Sequence, residues 1–202
     1  MPRPPRAFVP GIYHLASHAS DDRHLFSDDA ECTLFLDALS RSFDRFEVGV
    51  VAYTLMGTHY HAIARVPDAR VSRALQQVHT WYSRLHNKLN GRSAHLFRAH
   101  SFAREIESDA DLLATCRYLA WNPVEAALTL EPFDWRWSSV AATAGLTKSP
   151  VRLDVEPVRH ALGGGAGWRR RYRDHVAWRP ASVPERAARP FPFRERSTRR
   201  TA

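Results

Sequence analysis

Two histidines separated by one residue are the first feature of this sequence that could do chemistry. His59 and His61 lie in the segment THYHAIARV, whose side chains alternate as they do along a β-strand. Residues i and i+2 of a strand point to the same face, about 6–7 Å apart, so both imidazoles can reach one cation. A catalytic metal with an open position needs at least one further oxygen or nitrogen donor. Because the chain has 11 histidines, packed or solvent-facing rings are the alternative interpretation.

A tyrosine and an asparagine four residues apart are the second feature. Tyr118 and Asn122 fall on a predicted helix, where this spacing places both side chains on one face. Leu112, Cys116 and Leu119 turn a neighbouring face inward, so Tyr118 would stand at the helix flank and could reach a site above the sheet. A phenol is rarely ionised at neutral pH, so a nucleophilic tyrosine needs a base or a nearby cation. The alternatives are a tyrosine that packs its ring and an asparagine that ends the helix.

The elements that must position these side chains follow the order strand, helix, hairpin, helix, strand, helix. Alternating or β-branched segments predict strands at about 11–17, 47–55, 58–66 and 101–106. Helical spacing predicts a helix after a capping box of Asp28 and Glu31, a long helix at about 70–89 that Gly91 stops, and a third that opens at Ser108. The third helix is predicted to end or kink at Asn122-Pro123, before a short helix at 124–128. This order predicts the α+β class, an antiparallel sheet with helices packed against it.

Composition excludes some protein classes. Hydrophobic residues make up 44% of the chain, so a real core can form. Cys32 and Cys116 form no CxxC pair, which argues against a disulfide scaffold and fits a reducing cytosol. The N-terminal segment has charge without an apolar run behind it, and no stretch approaches the length of a membrane span. We therefore expect a cytoplasmic protein with no membrane partner.

The positive charge is concentrated at the C-terminus. The net charge is +8, and the last 35 residues hold 11 Arg and three acidic residues, which accounts for the whole excess. The composition turns loop-like at Gly163 and then rich in Arg and Pro, so we predict a domain at 1–176 and a flexible tail at 177–202. Arginine suits phosphate contacts, so the tail would bind a polyanion, and its removal would flatten the salt dependence of that binding. The alternative is a tail that only solubilises the protein.

Three sequence blocks together resemble a known family. They are AYTLMGTHYHAI, RYLAWNPVEAAL and DWRWSSV, and they occur in this order. Together they resemble the REP-associated tyrosine transposases, which belong to the single-tyrosine HUH transposases; HUH denotes His, a hydrophobic residue, and His. The resemblance covers roughly residues 11–145. Three blocks in the family's order are far more specific than two histidines alone.

The resemblance implies a fold, a reaction and a set of site residues. In the family, the two histidines of the motif bind a divalent metal, Mg²⁺ or Mn²⁺, and they match His59 and His61. The nucleophilic tyrosine matches Tyr118, and the polar residue that completes the metal shell matches Asn122. The implied fold is a ferredoxin-like antiparallel sheet with helices packed on it. The implied reaction is cleavage and rejoining of single-stranded DNA through a 5′-phosphotyrosine, on DNA repeats that form hairpins.

The chain departs from the family pattern at three positions. Thr58 precedes the first histidine of the motif, where Asn is usual in the family. In LFRAHSFAREI, which looks like the family's LFQxRF block, His100 and Ser101 stand where Arg and Phe are common. These departures bear on the DNA contacts rather than on the metal or the nucleophile.

Candidate DNA contacts are arginines near the predicted strands, namely Arg23, Arg98 and Arg104. Each could meet phosphate or remain a solvated surface residue. Trp135 and Trp137 could stack on bases or pack a C-terminal segment over the body.

Two other functions stay open at this stage. One is a DNA-binding regulator without catalysis, and the other is a metal-dependent phosphoesterase in which water attacks and Tyr118 is a bystander. The oligomeric state, with a homodimer as one outcome, is also open.

Overall fold

A four-stranded antiparallel sheet with helices on both faces forms the body of the molecule. The structure, a computed structural model, describes residues 8–20, 24–93, 95–99 and 101–179. Its strands are β1 (Gly11–His18), β2 (Gly49–Leu55), β3 (His59–Val66) and β4 (Phe102–Ile106). Its helices are α1 (Asp29–Arg45), α2 (Val71–Asn90), α3 (Asp109–Glu125), α4 (Val140–Thr143), α5 (Glu156–Ala161) and α6 (Trp168–Ala177). The predicted α+β class is therefore confirmed.

The strands lie in the order β2-β3-β1-β4, and each neighbouring pair is antiparallel. The succession β1-α1-β2-β3-α2-β4 is that of a ferredoxin-like fold. β1 is central, and its register with β3 sets His18 opposite His59 and Ala16 opposite His61. In the part of the chain that the structure describes, no helix combines the length and apolarity needed to span a bilayer.

The first turn of α1 is held by the predicted capping box. The Asp28 side chain accepts a hydrogen bond from the Glu31 backbone N–H at 2.8 Å, and the Glu31 carboxylate accepts one from the Ser27 backbone N–H at 2.7 Å. These bonds satisfy donors that a helix start leaves without partners. α2 ends as predicted at Gly91, whose φ of 62° is left-handed.

One face of the sheet carries the larger apolar core. α1 and α2 lie on it and pack their buried residues against Tyr13 and Leu15 of β1 and against Tyr60 and Ala62 of β3. Alternation along each strand assigns these residues to the same side. The aromatic rings of Phe35 and its neighbours fill the centre of this core.

The opposite face is covered in part by α3. Leu112, Cys116 and Leu119 of α3 are buried in a second core with Ile63 of β3 and Ile106 of β4. α6 packs behind α3, and the Trp121 indole N–H donates to the Val176 carbonyl at 2.8 Å. α3, the helix that carries Tyr118, is thus held between the sheet and α6.

Of the two outcomes predicted at Asn122-Pro123, an end or a kink, the end is wrong, and so is a separate helix at 124–128. The helix runs through Pro123, which is buried, and ends at Glu125. Ala127 then adopts a left-handed φ of 57°, and the Leu128 N–H returns to the Pro123 carbonyl at 2.8 Å. This pattern closes a helix C-terminus. A proline near the last turn costs one backbone hydrogen bond, and its burial here offsets that loss.

Two further boundaries differ from prediction. β2 begins at Gly49 rather than at residue 47, because Glu47 has a φ of 57° and turns the chain out of α1. The segment after Gly163 was predicted to be loop-like, yet it contains α6. Trp168, Tyr172 and Val176, spaced by four residues, are the buried face of that helix.

The two tryptophans of the DWRW block pack inside the protein. Trp135 and Trp137 are 7% and 6% exposed, and the Trp135 indole N–H donates to the Leu55 carbonyl at 2.9 Å. They therefore join the C-terminal segment to the sheet and do not offer rings to a base.

The predicted Arg/Pro-rich tail begins at the end of α6. Residues 180–202 lie outside the described residues, so the division at 176 stays a prediction.

Candidate active site

The pairing of β1 with β3 gathers four histidines on the face of the sheet that α3 covers in part. His14 and His18 come from β1, and His59 and His61 come from β3. The rings of His18 and His59 stack with centroids 4.6 Å apart, and those of His59 and His61 stand edge to face at 5.0 Å. The predicted pair therefore lies side by side, within a larger imidazole cluster.

Each histidine of the predicted pair uses its Nδ1 atom for a hydrogen bond. The Nδ1 of His61 lies 3.0 Å from the Nε2 of His14, and the Nδ1 of His59 lies 3.1 Å from the Thr58 hydroxyl. Thr58, which stands where the family has Asn, thus contacts the first histidine directly. Both Nε2 atoms are left as the ring nitrogens with which His59 and His61 can bind a cation.

Burial keeps these imidazoles neutral. Burial, with smaller contributions from the neighbouring rings of His59, His14 and His18, lowers the pKa of His61 to about 3. Burial, with a smaller contribution from His18, lowers the pKa of His59 to about 4. A neutral imidazole is the form that binds a metal, so neither ring has to lose a proton at neutral pH before it can coordinate.

Tyr118 reaches the same cluster from α3. Its ring centroid lies 5.6 Å from that of His61 and 6.0 Å from that of His14, with both pairs edge to face. The side chain is 45% exposed, in contrast to the buried residues on the core side of the same helix. Tyr118 therefore lies at the flank of α3, as its helical spacing predicts, and its ring is next to that of His61.

A cavity of about 510 Å³ lies between the sheet and α3 at this point. It is lined by His14, Ala16, His18, His61, Phe102, Arg104, Asp111, Ala114, Thr115 and Tyr118. The lining therefore joins three of the four histidines, the exposed tyrosine and one arginine in a single space, and His59 is not among the lining residues. Its size is within the range of small-ligand sites, which run from about 300 to 1,000 Å³.

Arg104 ties β4 to the start of α3. Its guanidinium donates to both carboxylate oxygens of Asp111, at 2.7 and 2.9 Å, and to the Thr115 hydroxyl at 3.2 Å. Ser108 caps α3 at the same turn, because its side-chain hydroxyl accepts a hydrogen bond from the Asp111 backbone N–H at 3.2 Å. Arg104 lines the cavity as a residue already paired with a carboxylate, so its predicted DNA contact would compete with this ion pair.

Two other arginines, Arg98 and Arg23, were predicted to contact DNA. Arg98 donates from Nε to the Ala19 carbonyl at 3.1 Å, and its backbone N–H donates to the His18 carbonyl at 2.9 Å. Arg98 therefore fastens the loop before β4 to the end of β1, next to the histidine cluster. Arg23 lies outside the described residues.

Asn122, predicted to complete the metal shell, lies one turn beyond Tyr118 on α3. Its amide nitrogen is 3.2 Å from the Tyr118 backbone carbonyl, and Asn122 is not among the residues that line the cavity. Its metal role stays a prediction. Among the described residues, no three His, Cys, Asp or Glu side chains are placed to hold one metal ion.

The donor set nevertheless fits a divalent cation that keeps open positions. Two neutral imidazoles with free Nε2 atoms supply two ligands, and metals at phosphate-processing sites take their other ligands from water and substrate phosphate. Mg²⁺ and Mn²⁺ both favour oxygen ligands, which water and phosphate would supply beside the two imidazole nitrogens. His59 and His61 would hold the ion.

Sequence reasoning missed His14 and His18. Their spacing of four residues places both side chains on one face of a strand, and this pattern could have been recognised in the sequence. Which face that was, and which strand lay beside it, depended on the pairing of β1 with β3.

Comparisons with known proteins bear on the fold. No protein-family model matches the sequence, and a search of curated proteins found no relative. Among solved structures, the chain is similar to a REP-associated tyrosine transposase bound to a REP hairpin, with a TM-score of 0.61 and 16% identity over 77% of this chain and 93% of that one. A candidate transposase from Deinococcus radiodurans R1 aligns with a TM-score of 0.40 and 14% identity over 57% of this chain and 93% of that one. The chain therefore has the fold of a REP-associated tyrosine transposase, as its resemblance to that family implied.

Proposed function

We propose that this protein is a metal-dependent, single-stranded DNA endonuclease and strand transferase that works through a 5′-phosphotyrosine at Tyr118. One observation carries the proposal: an exposed tyrosine on α3 lies 5.6 Å, ring to ring, from a buried histidine on β3, across a shared cavity. The transposase-like fold supports the same reading.

The reaction exchanges one phosphate ester for another. The Tyr118 hydroxyl oxygen attacks a backbone phosphorus and forms a tyrosine O–P bond, and the bond from that phosphorus to the 3′ oxygen breaks. The phenol loses its proton, and the departing oxygen gains one and leaves as a 3′-OH. Because the new ester conserves the energy of the old one, a 3′-OH can reverse the exchange without ATP.

The histidine pair would hold the metal ion that orients and polarises the phosphate. A Mg²⁺ or Mn²⁺ ion held by the Nε2 atoms of His59 and His61 would supply Lewis-acid polarisation of the phosphate. The chain itself contributes the rigid sheet under these rings and a helix fixed by the Arg104–Asp111 ion pair. Asn122 is proposed as a further ligand, and it would have to give up its bond to the Tyr118 carbonyl to serve.

We propose hairpin-forming DNA repeats as the substrate. The similar solved structure is a transposase bound to a REP hairpin, and Arg104, a residue type suited to phosphate contact, lines the cavity of this chain. Arg98, in the loop before β4 and beside the end of β1, is a candidate phosphate contact. The protein would act where such DNA lies, in the nucleoid.

The decisive experiment looks for a covalent protein–DNA adduct. Single-stranded and hairpin oligonucleotides, labelled at either end, are incubated with the protein and Mn²⁺ and run on a denaturing gel. We expect an adduct that carries only the DNA on the 3′ side of the cut, together with a released fragment that ends in 3′-OH. Tyr118→Phe should form no adduct, and excess chelator should abolish it in the wild type.

Each alternative gives a different result. A DNA-binding regulator would shift the oligonucleotide on a native gel without product or adduct. A phosphoesterase would release product without adduct, and Tyr118→Phe would remain active. Cleavage that proceeds unchanged in chelator, or in His59→Ala, would contradict the metal assignment.

A further inference from the structure

We propose that His14 is a positioning residue that holds His61 in the tautomer able to bind a cation. His14 thereby serves the metal-binding role of His61, and this role rests on the function proposed above. Neither the sequence blocks nor the fold comparison assigns a function to His14.

The two rings are buried and hydrogen-bonded to each other. The Nε2 of His14 lies 3.0 Å from the Nδ1 of His61, and the residues are 7% and 6% exposed. Water has little access to either atom, so the bond between them is the main constraint on where each ring keeps its proton. Between two neutral imidazoles, one nitrogen must donate and the other must accept.

The direction of this hydrogen bond decides whether His61 can bind a metal. If the Nδ1–H of His61 donates to the Nε2 of His14, the Nε2 of His61 keeps its lone pair and can coordinate. If the Nε2–H of His14 donates instead, the proton of His61 sits on its own Nε2 and blocks coordination. Because Nδ1 of His61 faces His14 in both cases, Nε2 is the nitrogen that it can offer. We therefore assign the first direction, with the proton of His14 on its Nδ1.

A second contact of the same kind supports this assignment. The Nδ1 of His59 lies 3.1 Å from the Thr58 hydroxyl, which can accept its proton. Two unrelated partners thus meet the same ring atom of two neighbouring histidines, and both leave Nε2 free. Metal-binding histidines commonly donate their second ring nitrogen to such a partner, which fixes the tautomer and the orientation of the ring.

The surroundings of His14 fix its ring in place. It packs at 5.1 Å from the ring of His61, at 5.3 Å from that of Phe102 and at 6.0 Å from that of Tyr118. Its backbone belongs to β1, which is paired on both sides, with β3 and with β4. A ring held from three directions on a central strand can present its Nε2 to His61 in one orientation.

The test reads the tautomer directly and then the metal affinity. Nitrogen-15 NMR of histidine-labelled protein without metal distinguishes the Nδ1–H from the Nε2–H form of His61. We expect the Nδ1–H form in the wild type and in His14→Gln, whose carboxamide oxygen can accept at about the place of Nε2. We expect His14→Leu, which has no acceptor, to lose this preference and to bind Mn²⁺ about ten- to a hundredfold more weakly. Thr58→Val is the matched control, because it should change His59 and leave the tautomer of His61 alone.

The results separate this role from the proposed function. An Nε2–H form of His61 in the wild type would overturn the proposal without the need for any variant. So would a His14→Leu protein in which both the tautomer and the Mn²⁺ affinity are unchanged. If the wild type shows the Nδ1–H form, His14→Leu loses it and no protein binds Mn²⁺, then His14 does orient His61 and the metal assignment of the proposed function fails.

Discussion

The two faces of the sheet are made from the same strands and have opposite properties. On the face that α1 and α2 cover, Phe35, Tyr60 and Tyr82 are at most 1% exposed. On the other face, α3 covers part of the sheet and leaves a cavity of about 510 Å³. Tyr118 lines this cavity, and its side chain is 45% exposed. One face is closed by apolar packing, and the other stays open beside polar side chains.

β3 serves both faces through its alternation. Tyr60 enters the closed core, where its hydroxyl lies 2.8 Å from the Nε2 of His79, while His59 and His61 point to the open face. The packing of Tyr60 therefore fixes the backbone on which the two histidines stand. A site built on a strand that is rigid from behind keeps its geometry better than one built on loops.

The largest expected effect is on catalysis, from a tyrosine change on the open face. Tyr118→Phe should lower adduct formation at least about a thousandfold, because it removes the attacking oxygen. Its stability should change little, since the side chain is exposed. Tyr60→Phe is the matched change on the closed face. It should cost about 1 kcal/mol of unfolding free energy and retain the adduct. Gel assays measure adduct formation, and chemical denaturation measures stability. An active Tyr118→Phe protein would contradict the assignment of catalysis to the open face.

The next effect is on stability, from the closed face. Phe35 is fully buried, and its ring contacts those of Phe26, Tyr60 and Tyr82. Phe35→Ala should lower the free energy of unfolding by about 3–5 kcal/mol, because it leaves a cavity in the core. Leu85→Ala on the exposed side of α2 is the control. It should change the free energy of unfolding by no more than about 0.5 kcal/mol, because the side chain is exposed and alanine favours the helix as well as leucine does. A loss below about 1 kcal/mol for Phe35→Ala would show that the closed face is not tightly packed.

A pH effect should also come from the closed face. Burial lowers the pKa of His79 to about 4. Because the pKa in the folded state lies below the unfolded value of about 6.5, the neutral ring favours the folded state fully above that pH. This stability is lost as the pH falls from about 6.5 toward 4, by an amount on the order of 1–3 kcal/mol.

His79→Gln isolates this contribution, because it keeps a hydrogen-bonding group near Tyr60 and cannot titrate. Thermal unfolding of both proteins is followed from neutral to acidic pH. The other histidines act alike in both proteins, so the difference between the two curves reports on His79. Parallel curves would contradict the lowered pKa.

The smallest effect should come from the ion pair between Arg104 of β4 and Asp111 of α3, on the open face. The Arg104–Asp111 ion pair is partly exposed, so Asp111→Asn should cost less than about 1 kcal/mol of stability. It should slow adduct formation about tenfold, because α3 then holds Tyr118 less firmly against the histidines. Asp109→Asn removes a charge from the same helical turn and keeps the ion pair, so it should cleave normally. Equal rates in the two variants would show that the pair does not position Tyr118.

The sequence by itself predicted every element from β1 to the start of α3, the capping box, and which side chains of one strand or helix share a face. These properties are local, because they follow from alternation along a strand, spacing along a helix and hydrogen bonds between near neighbours. The blocks around His59, His61 and Tyr118 also carried the family resemblance, and with it the fold. The sequence showed neither where α3 ends nor that α6 exists, because the burial of Pro123 and of Trp168 depends on packing partners distant in the sequence.

Only the tertiary structure decided what surrounds the candidate residues. His14 and His61 are 47 positions apart, and they meet because β1 lies beside β3 in one register. Tyr118 reaches them because α3 packs on that face and is held there by Arg104 and α6. Contacts of this kind depend on which strands pair and which helix covers them, and no local periodicity contains that information.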